Sequence, residues 1–190
     1  MFSCCISPIL FPNTFCLWTG RFGCQRGKQW LNGKNTGFYK RLIDAYKSDG
    51  KTYGSNFDRV WKEIAKEDRE GFLKLQRDYA KLMYYDAAVL FIKSNYGLDV
   101  NTRSAALQNV IWSTAIQHGP TAPVFGPAIS AAGGKTASDL KLINAIYDER
   151  SKVDRFGVPM YFYGCKPDVQ QGVLIRFANE RQDALNMLNS

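Results

Sequence analysis

Apolar residues recur at helical spacing along most of the chain, from residue 37 to the last residues. Side chains three and four positions apart lie on one face of an α-helix, so this spacing predicts amphipathic helices. Glycine, proline and small polar residues separate the apolar stretches, as they do where helices end. The pattern predicts a mainly α fold with helices over about 38–47, 55–67, 70–94, 102–118, 122–132, 136–152 and 168–188. Residues 153–166 interrupt it with glycine, proline and aromatic residues and are predicted to form a loop.

The third predicted helix is the longest, and at 1.5 Å per residue it would extend for about 35–40 Å. Its apolar stripe contains one carboxylate, because the stripe runs through Phe72, Leu75, Tyr79, Leu82, Asp86 and Leu90. A carboxylate on an apolar face costs free energy unless it is paired or hydrogen-bonded. Asp86 is therefore either a satisfied ion pair in the core or a functional group that faces a cleft.

Two further polar clusters lie at predicted helix ends. Gln117 and His118 precede Gly119-Pro120, and the helix dipole favours a cationic histidine at that position. The second cluster is Tyr147-Asp148-Glu149-Arg150, whose acids oppose the dipole and need cationic partners. Both clusters have a structural interpretation, a capping histidine and a solvated charge run, and a functional one, groups that hold substrate in a cleft.

The net charge of +8 is unevenly distributed. Residues 1–43 contain six basic residues and no acid, whereas residues 44–190 contain 19 basic and 17 acidic residues. Residues 1–30 also hold four of the five cysteines and show no helical or strand period. The sequence thus predicts an irregular, basic, cysteine-rich segment over 1–30, either non-native or disordered, and a helical domain over 31–190.

Composition and motifs exclude several classes of protein. Basic residues of the helical domain alternate with acids, so we expect no nucleic-acid partner, and no apolar run reaches the roughly 20 residues of a membrane span. Phosphate-binding loops, dinucleotide motifs, HExxH and CxxC pairs are absent, and His118 is the only histidine. We therefore expect neither a cofactor nor a metal site. The remaining nucleic-acid hypothesis is a basic N-terminal tail that binds DNA.

Five blocks in this order resemble one family, and the most specific runs from Ala106 to Gly119 and contains Trp112-Ser113-Thr114 and Gln117-His118-Gly119. The family is the chitosanase-like, lysozyme-superfamily domain of phage tail, endolysin and type VI secretion spike-related proteins. The resemblance covers roughly residues 28–188. The other blocks are Phe57-Asp58-x-x-Trp61-Lys62-x-Ile64-Ala65, Phe72-x-x-x-Gln76-x-x-Tyr79, Ile143-x-x-Ile146-Tyr147-Asp148-Glu149-Arg150 and Arg176-Phe177-x-x-Glu180-Arg181-x-x-Ala184-Leu185.

This resemblance implies a lysozyme-like helical fold with a long central helix around a glycan cleft. The implied activity is hydrolysis of peptidoglycan or a related amino-sugar polymer by two carboxyl groups. In the family the general acid comes from an early helix that a glycine-rich segment follows, but residues 1–43 contain no carboxylate. We therefore expect a cell-wall hydrolase of impaired activity. The alternative is a catalytically inactive glycan-binding or structural module of a phage-tail or type VI secretion apparatus.

The site that we predict uses the carboxylates that remain. Asp86, Asp148 and Glu149 are the catalytic candidates, and the groups that would position substrate are Trp112, Gln117, His118 and Arg150. In the structural alternative the same residues form a buried ion-pair cluster. The expected partner is bacterial cell-wall glycan. With no convincing signal peptide, we expect synthesis in the cytoplasm and delivery to the cell wall or periplasm by phage lysis or injection.

Overall fold

The computed structural model describes residues 36–190, which are mainly α-helical, as the apolar spacing predicts. The irregular segment predicted over 1–30 lies outside the described residues. Eight α-helices are formed, with the bounds α1 Thr36–Ser48, α2 Ser55–Glu67, α3 Arg69–Ala80, α4 Asp86–Tyr96, α5 Ala105–His118, α6 Phe125–Ala132, α7 Asp139–Arg150 and α8 Pro167–Leu188. A π-helical turn, Lys81–Tyr85, lies between α3 and α4. In the described part of the chain no helix is long and apolar enough to cross a membrane.

The described residues divide into two compact units, 36–80 and Lys81–Ser190. In the first unit α1 and α3 both pack against α2. Aromatic rings dominate this packing: Trp61 and Phe72 meet edge-on at 4.6 Å, and Phe38 meets Phe72 at 5.8 Å. Edge-to-face pairs of this kind add stabilisation beyond the area that they bury.

One carboxylate organises the start of α2. Asp49, in the turn after α1, accepts hydrogen bonds from the backbone N–H of Phe57 at 2.8 Å and Gly54 at 3.2 Å, and from the Asn56 side chain at 2.8 Å. These bonds satisfy N–H groups that the first turn of a helix leaves open. The N-cap residue of α2 is Gly54, which has no side chain and cannot accept these hydrogen bonds itself.

The second unit is built around α5 and α7. Helix α8 packs on both, α6 packs on α7, and the π-turn lies against α5. The N-termini of α5 and α7 are capped by Ser104 and Ser138, whose hydroxyls accept from the backbone N–H groups of Leu107 and Lys141. Inside lies an apolar core that includes Ile92, Leu107, Ile111, Phe125, Leu142, Ile143 and Phe177.

The π-turn overturns part of the predicted stripe of the third helix. Phe72, Leu75 and Tyr79 are buried as predicted, but Leu82 and Leu90 are exposed and Asp86 is only partly covered. A π-turn uses an i→i+5 bond and so takes up more residues than an α-turn. The next buried residue after Tyr79 is therefore Tyr84, five positions later. From there the buried face continues through Tyr85, Ala88, Val89 and Ile92.

We predict that Asp49→Asn destabilises the first unit, because the neutral side chain cannot accept the same set of backbone N–H bonds. The hydrogen bonds from Phe57, Asn56 and Gly54 hold the pKa of Asp49 below its ordinary value. A lowered folded-state pKa means that this stabilisation is present above the unfolded pKa of about 4 and is lost as pH falls through the folded value.

The measurement is the thermal midpoint of wild type and variant at pH 7 and pH 3. The difference should be clear at pH 7 and smaller at pH 3. Asp58→Asn, an exposed change in the first turn of α2 that removes only an interaction with the helix dipole, is the matched control and should lower the midpoint much less. Equal midpoints for Asp49→Asn and Asp58→Asn at pH 7 would contradict the assignment.

Candidate functional site

A buried arginine lies at the centre of the second unit. Arg150 occupies the last turn of α7 and is completely shielded from solvent. Its guanidinium lies over two aromatic rings, 4.1 Å from the centroid of Phe177 and 5.0 Å from that of Tyr147. Arginine suits such a position, because its planar, weakly hydrated cation stacks on aromatic faces. The sequence-predicted candidate Arg150 is thus a core residue.

Glu180 on α8 supplies the charge that balances Arg150. Its carboxylate accepts from Nη1 of Arg150 at 3.3 Å, from the hydroxyl of Ser113 at 3.1 Å and from the hydroxyl of Tyr147 at 3.5 Å. Nε of Arg176 lies 3.2 Å from its other oxygen. We call these five residues the Arg150–Glu180 cluster. It joins α5, α7 and α8 through one carboxylate.

Burial sets the electrostatics of the cluster. Removal from water lowers the pKa of Arg150, and attraction to Glu180 opposes this effect. Burial also raises the pKa of Tyr147 to about 12, so its hydroxyl keeps its proton and donates to Glu180 at neutral pH. A buried ion pair is tolerated only when its attraction and hydrogen bonds offset the desolvation of both charges.

His118 lies beside the cluster, at the end of α5. Its ring contacts three aromatic rings edge-on or tilted, with centroid distances of 5.4 Å to Tyr161, 5.6 Å to Phe162 and 6.1 Å to Phe177. Burial, reinforced by the nearby cations Arg150 and Arg176, lowers its pKa to about 3. The helix dipole favours a cationic histidine at this position, but desolvation outweighs a dipole effect of about 1 kcal/mol.

Gln117 connects the histidine block to the cluster, since its side-chain oxygen accepts from Nη2 of Arg176. Several N–H and ring nitrogen atoms nearby have no hydrogen-bond partner among the described residues. They are Nε and Nη2 of Arg150, Nε of Arg176 and Nε2 of His118. The structure therefore brings together three of the four predicted positioning residues, Gln117, His118 and Arg150.

The catalytic candidates Asp148 and Glu149 lie on a different face of α7. Asp148 is 66% exposed and pairs with Nη1 of Arg181 at 2.8 Å. Glu149 is largely buried, accepts from the hydroxyl of Tyr161 at 2.6 Å and lies 3.5 Å from Nζ of Lys152. Both border an open cleft of about 610 Å³ between α6 and α7, lined by Ala128, Ala131, Ala132, Lys141, Asn144, Ala145, Asp148, Glu149 and Lys152.

Asp86 and Trp112 lie in a third place, around the π-turn. Asp86 forms an exposed ion pair with Lys81 at 2.5 Å, and Trp112 lies 5.7 Å from the ring of Tyr85. The hydroxyl of Tyr85 lies 2.9 Å from the side-chain oxygen of Asn101 and 3.1 Å from that of Gln108. The buried ion-pair cluster predicted from Asp86, Asp148, Glu149 and Arg150 is therefore not formed by these acids, because the carboxylate that pairs with Arg150 is Glu180.

Sequence reasoning missed Glu180 although it lies in one of the recognised blocks. A usable signal was present in the helical spacing. Glu180 lies three residues after Phe177 and four before Ala184, so it shares a face of α8 with these buried residues, and Arg176 lies four residues before it. Among the described residues no group of three histidine, cysteine or acidic side chains is placed to hold a metal ion.

The α5–α7–α8 arrangement and its cluster define a helical domain with a charged core. The model of one family, type VI secretion system spike protein VgrG3-like, C-terminal, matches residues 28–181. The chain therefore belongs to this family, which confirms the type VI secretion part of the resemblance. No curated protein matches the chain.

We predict that Glu180→Gln lowers the free energy of unfolding of the second unit by about 3 kcal/mol, because it leaves the Arg150 charge buried without a counter-ion. The side chain of Glu180 is 30% exposed, so we expect a loss of stability at the lower end of the range of about 3–5 kcal/mol for breaking a buried ion pair. Denaturant unfolding at pH 7 measures it. The control Asp148→Asn removes an exposed pair and should cost less than about 1 kcal/mol. Equal losses for the two variants would contradict the burial argument.

We also predict that the imidazole of His118 does not titrate between pH 5 and pH 8. Its single set of ring proton resonances is unambiguous, because the chain has one histidine. With a folded pKa of about 3 and an unfolded value near 6.5, protonation favours the unfolded chain, so stability falls as pH decreases from about 6.5 towards 3. Proton NMR should show constant ring shifts above pH 5, and a midpoint near pH 6.5 would refute the neutral histidine.

Proposed function

We propose that this chain is a module of a type VI secretion spike that binds cell-wall glycan without hydrolysing it at a normal enzyme rate. Membership of the spike family provides the setting. The observation that carries the proposal is that the candidate carboxylates form ion pairs within the protein. Each catalytic candidate and the central Glu180 has a cation within 4 Å.

Glycosidase chemistry requires one carboxyl group that holds a proton and delivers it to the leaving oxygen. A carboxyl group whose oxygens are engaged by cations of the protein is not available to the leaving oxygen of a substrate. Asp86 and Asp148 pair with Lys81 and Arg181, and Glu180 is held by two arginines. None of these three is placed as a proton donor, and residues 1–43 contribute no carboxylate.

The cleft between α6 and α7 is the glycan-binding site that we propose. Its α6 side is formed by small alanine side chains, which leave room for a bulky ring. Its α7 side presents an ammonium group from Lys141, an amide from Asn144 and a carboxylate from Asp148, which can bond to hydroxyl and acetamido groups. Apolar walls with a few convergent polar groups are typical of small-ligand sites.

A second candidate function is the hydrolase itself, of impaired activity, delivered to the cell wall or periplasm. One observation favours it. Glu149 is largely buried, borders the cleft, and accepts a short hydrogen bond from Tyr161. A carboxyl group beside a glycan cleft is the type of group with which glycosidases act on the glycosidic bond.

The test is incubation of the purified chain with peptidoglycan sacculi, with sedimentation for binding and muropeptide analysis for turnover. We expect co-sedimentation without release of products. Asn144→Ala should weaken binding about fivefold, because it removes a hydrogen bond worth about 1 kcal/mol. Asn186→Ala, an exposed change on α8, is the control. Product release at a normal enzyme rate, abolished by Glu149→Gln, would favour the hydrolase and overturn the proposal.

A further inference from the structure

The connection between α7 and α8 forms a tight hairpin-like loop. Val153 and Pro159 form an antiparallel bridge, and the backbone bonds Met160 N–H to Lys152 C=O and Asp154 N–H to Val158 C=O are both 2.9 Å long. Gly157 turns the chain at the tip with a φ of 79°, which favours glycine. Residues 152–163 are called the tip loop below.

The side chain of Asp154 fixes the tip loop from within. One oxygen accepts from the backbone N–H groups of Phe156 at 2.8 Å and Val158 at 2.9 Å, and the other accepts from the hydroxyl of Tyr163. The only carboxylate of the tip loop is thus occupied internally. Its conformation is set before any partner arrives, so contact through it requires little ordering.

The tip loop presents large apolar side chains to solvent. Phe156 is 72% exposed and Tyr163 61% exposed, and Val153 and Met160 are exposed beside them. The hairpin bonds place these four side chains on one short stretch of backbone. A contiguous exposed apolar patch on a polar surface marks a site of interaction.

Cations surround this patch. Lys152, Arg155 and Lys166 are all exposed, and Arg155 lies 4.7 Å from the ring centroid of Phe156. Residues 151–167 contain these three cations and one acid, Asp154, which is occupied within the turn. The surface of the loop is therefore both apolar and positively charged.

We propose that the tip loop is a membrane-contact site that inserts Phe156 and Met160 into the surface of an anionic lipid bilayer. Apolar side chains gain by leaving water for the acyl chains, and each cation gains by approaching anionic headgroups. Tyr163 is 61% exposed and is an aromatic side chain with a polar end, the type that collects at membrane surfaces. This inference does not rest on the proposed function, although Lys152 also borders the glycan cleft and Tyr161 bonds to Glu149 there.

The composition of the tip loop selects a lipid surface over a glycan. Val153 and Met160 are aliphatic and have no flat ring face or hydrogen-bonding group for a sugar. Asp154 and the hydroxyl of Tyr163 bond to each other and are not free for sugar hydroxyls. The groups that remain outward are aliphatic, aromatic and cationic, which is the set that an anionic bilayer binds.

The experiment is co-sedimentation of the full chain with vesicles of phosphatidylglycerol and phosphatidylethanolamine, and with vesicles of phosphatidylcholine alone. We expect binding to the anionic vesicles. This binding should weaken in 0.5 M salt, because salt screens the attraction between exposed cations and anionic headgroups. Phe156→Ser combined with Met160→Ser should weaken binding by at least about tenfold. Arg155→Glu should weaken it by about tenfold through charge reversal.

The matched control is Leu140→Ser combined with Ile175→Ser, which removes two exposed apolar residues of α7 and α8. This control should bind as wild type does. Wild type that stays in the supernatant, or equal binding of the two double variants, would overturn the proposal. Loss of sacculus binding in the tip-loop variant with unchanged vesicle binding would assign the loop to glycan and overturn it too.

A conservative variant covers the case in which the serine variant does not fold. Phe156→Trp keeps an apolar ring at the tip and should retain vesicle binding. The chain has four tryptophans of its own, so wild type is measured in parallel. When anionic vesicles are added, the spectrum of the variant minus that of wild type should move to shorter wavelength, because the added indole leaves water. An unchanged spectrum with bound protein would place the tip loop away from the bilayer. Failure of the sacculus experiment leaves all of these expected results unchanged.

Discussion

The second unit depends on one interaction, the neutralisation of a fully buried guanidinium by a single carboxylate. Arg150 and Glu180 come from different helices, and Ser113 brings a third helix to the same oxygen atom. A buried charge without its partner costs several kcal/mol, so these helices are held in one relative arrangement. The aromatic rings of Tyr147 and Phe177 cover the guanidinium and complete its surroundings. Packing, charge and hydrogen bonding therefore converge on the same few atoms.

The same arrangement explains why His118 is neutral. The cations that stabilise Glu180 repel a proton on the imidazole, and the surrounding aromatic rings exclude the water that would solvate it. A neutral imidazole can accept or donate one hydrogen bond through either nitrogen. The block of sequence around His118 is thus specific because it must fit a cation-rich, dry environment. A role in chemistry is not needed to account for its residue types.

Much of the fold could be predicted from apolar spacing, because helices whose faces are buried carry a 3.6-residue period. The ends of α1, α2 and α5 lie within a few residues of the predicted ones. Two failures have physical causes. The π-turn shifts the phase after Tyr79, so Leu82 and Leu90 are exposed. In the candidate site Gln117, His118 and Arg150 are brought together. Helical spacing is enough to pair Glu180 with Arg176, four residues away, but it gives no signal for the bonds of Glu180 to Arg150 and Ser113, which are 30 and 67 residues away.

The π-turn has a consequence for how related sequences should be compared. It holds one residue more than an uninterrupted α-helix would need to keep a single buried face. Relatives with one residue fewer between Tyr79 and Tyr84 could keep the same core with a regular helix. An alignment without a gap would then pair the buried positions of one chain with the exposed positions of the other for the whole of α4. Apparent changes from apolar to polar along this helix would reflect that single offset and not a change in the core.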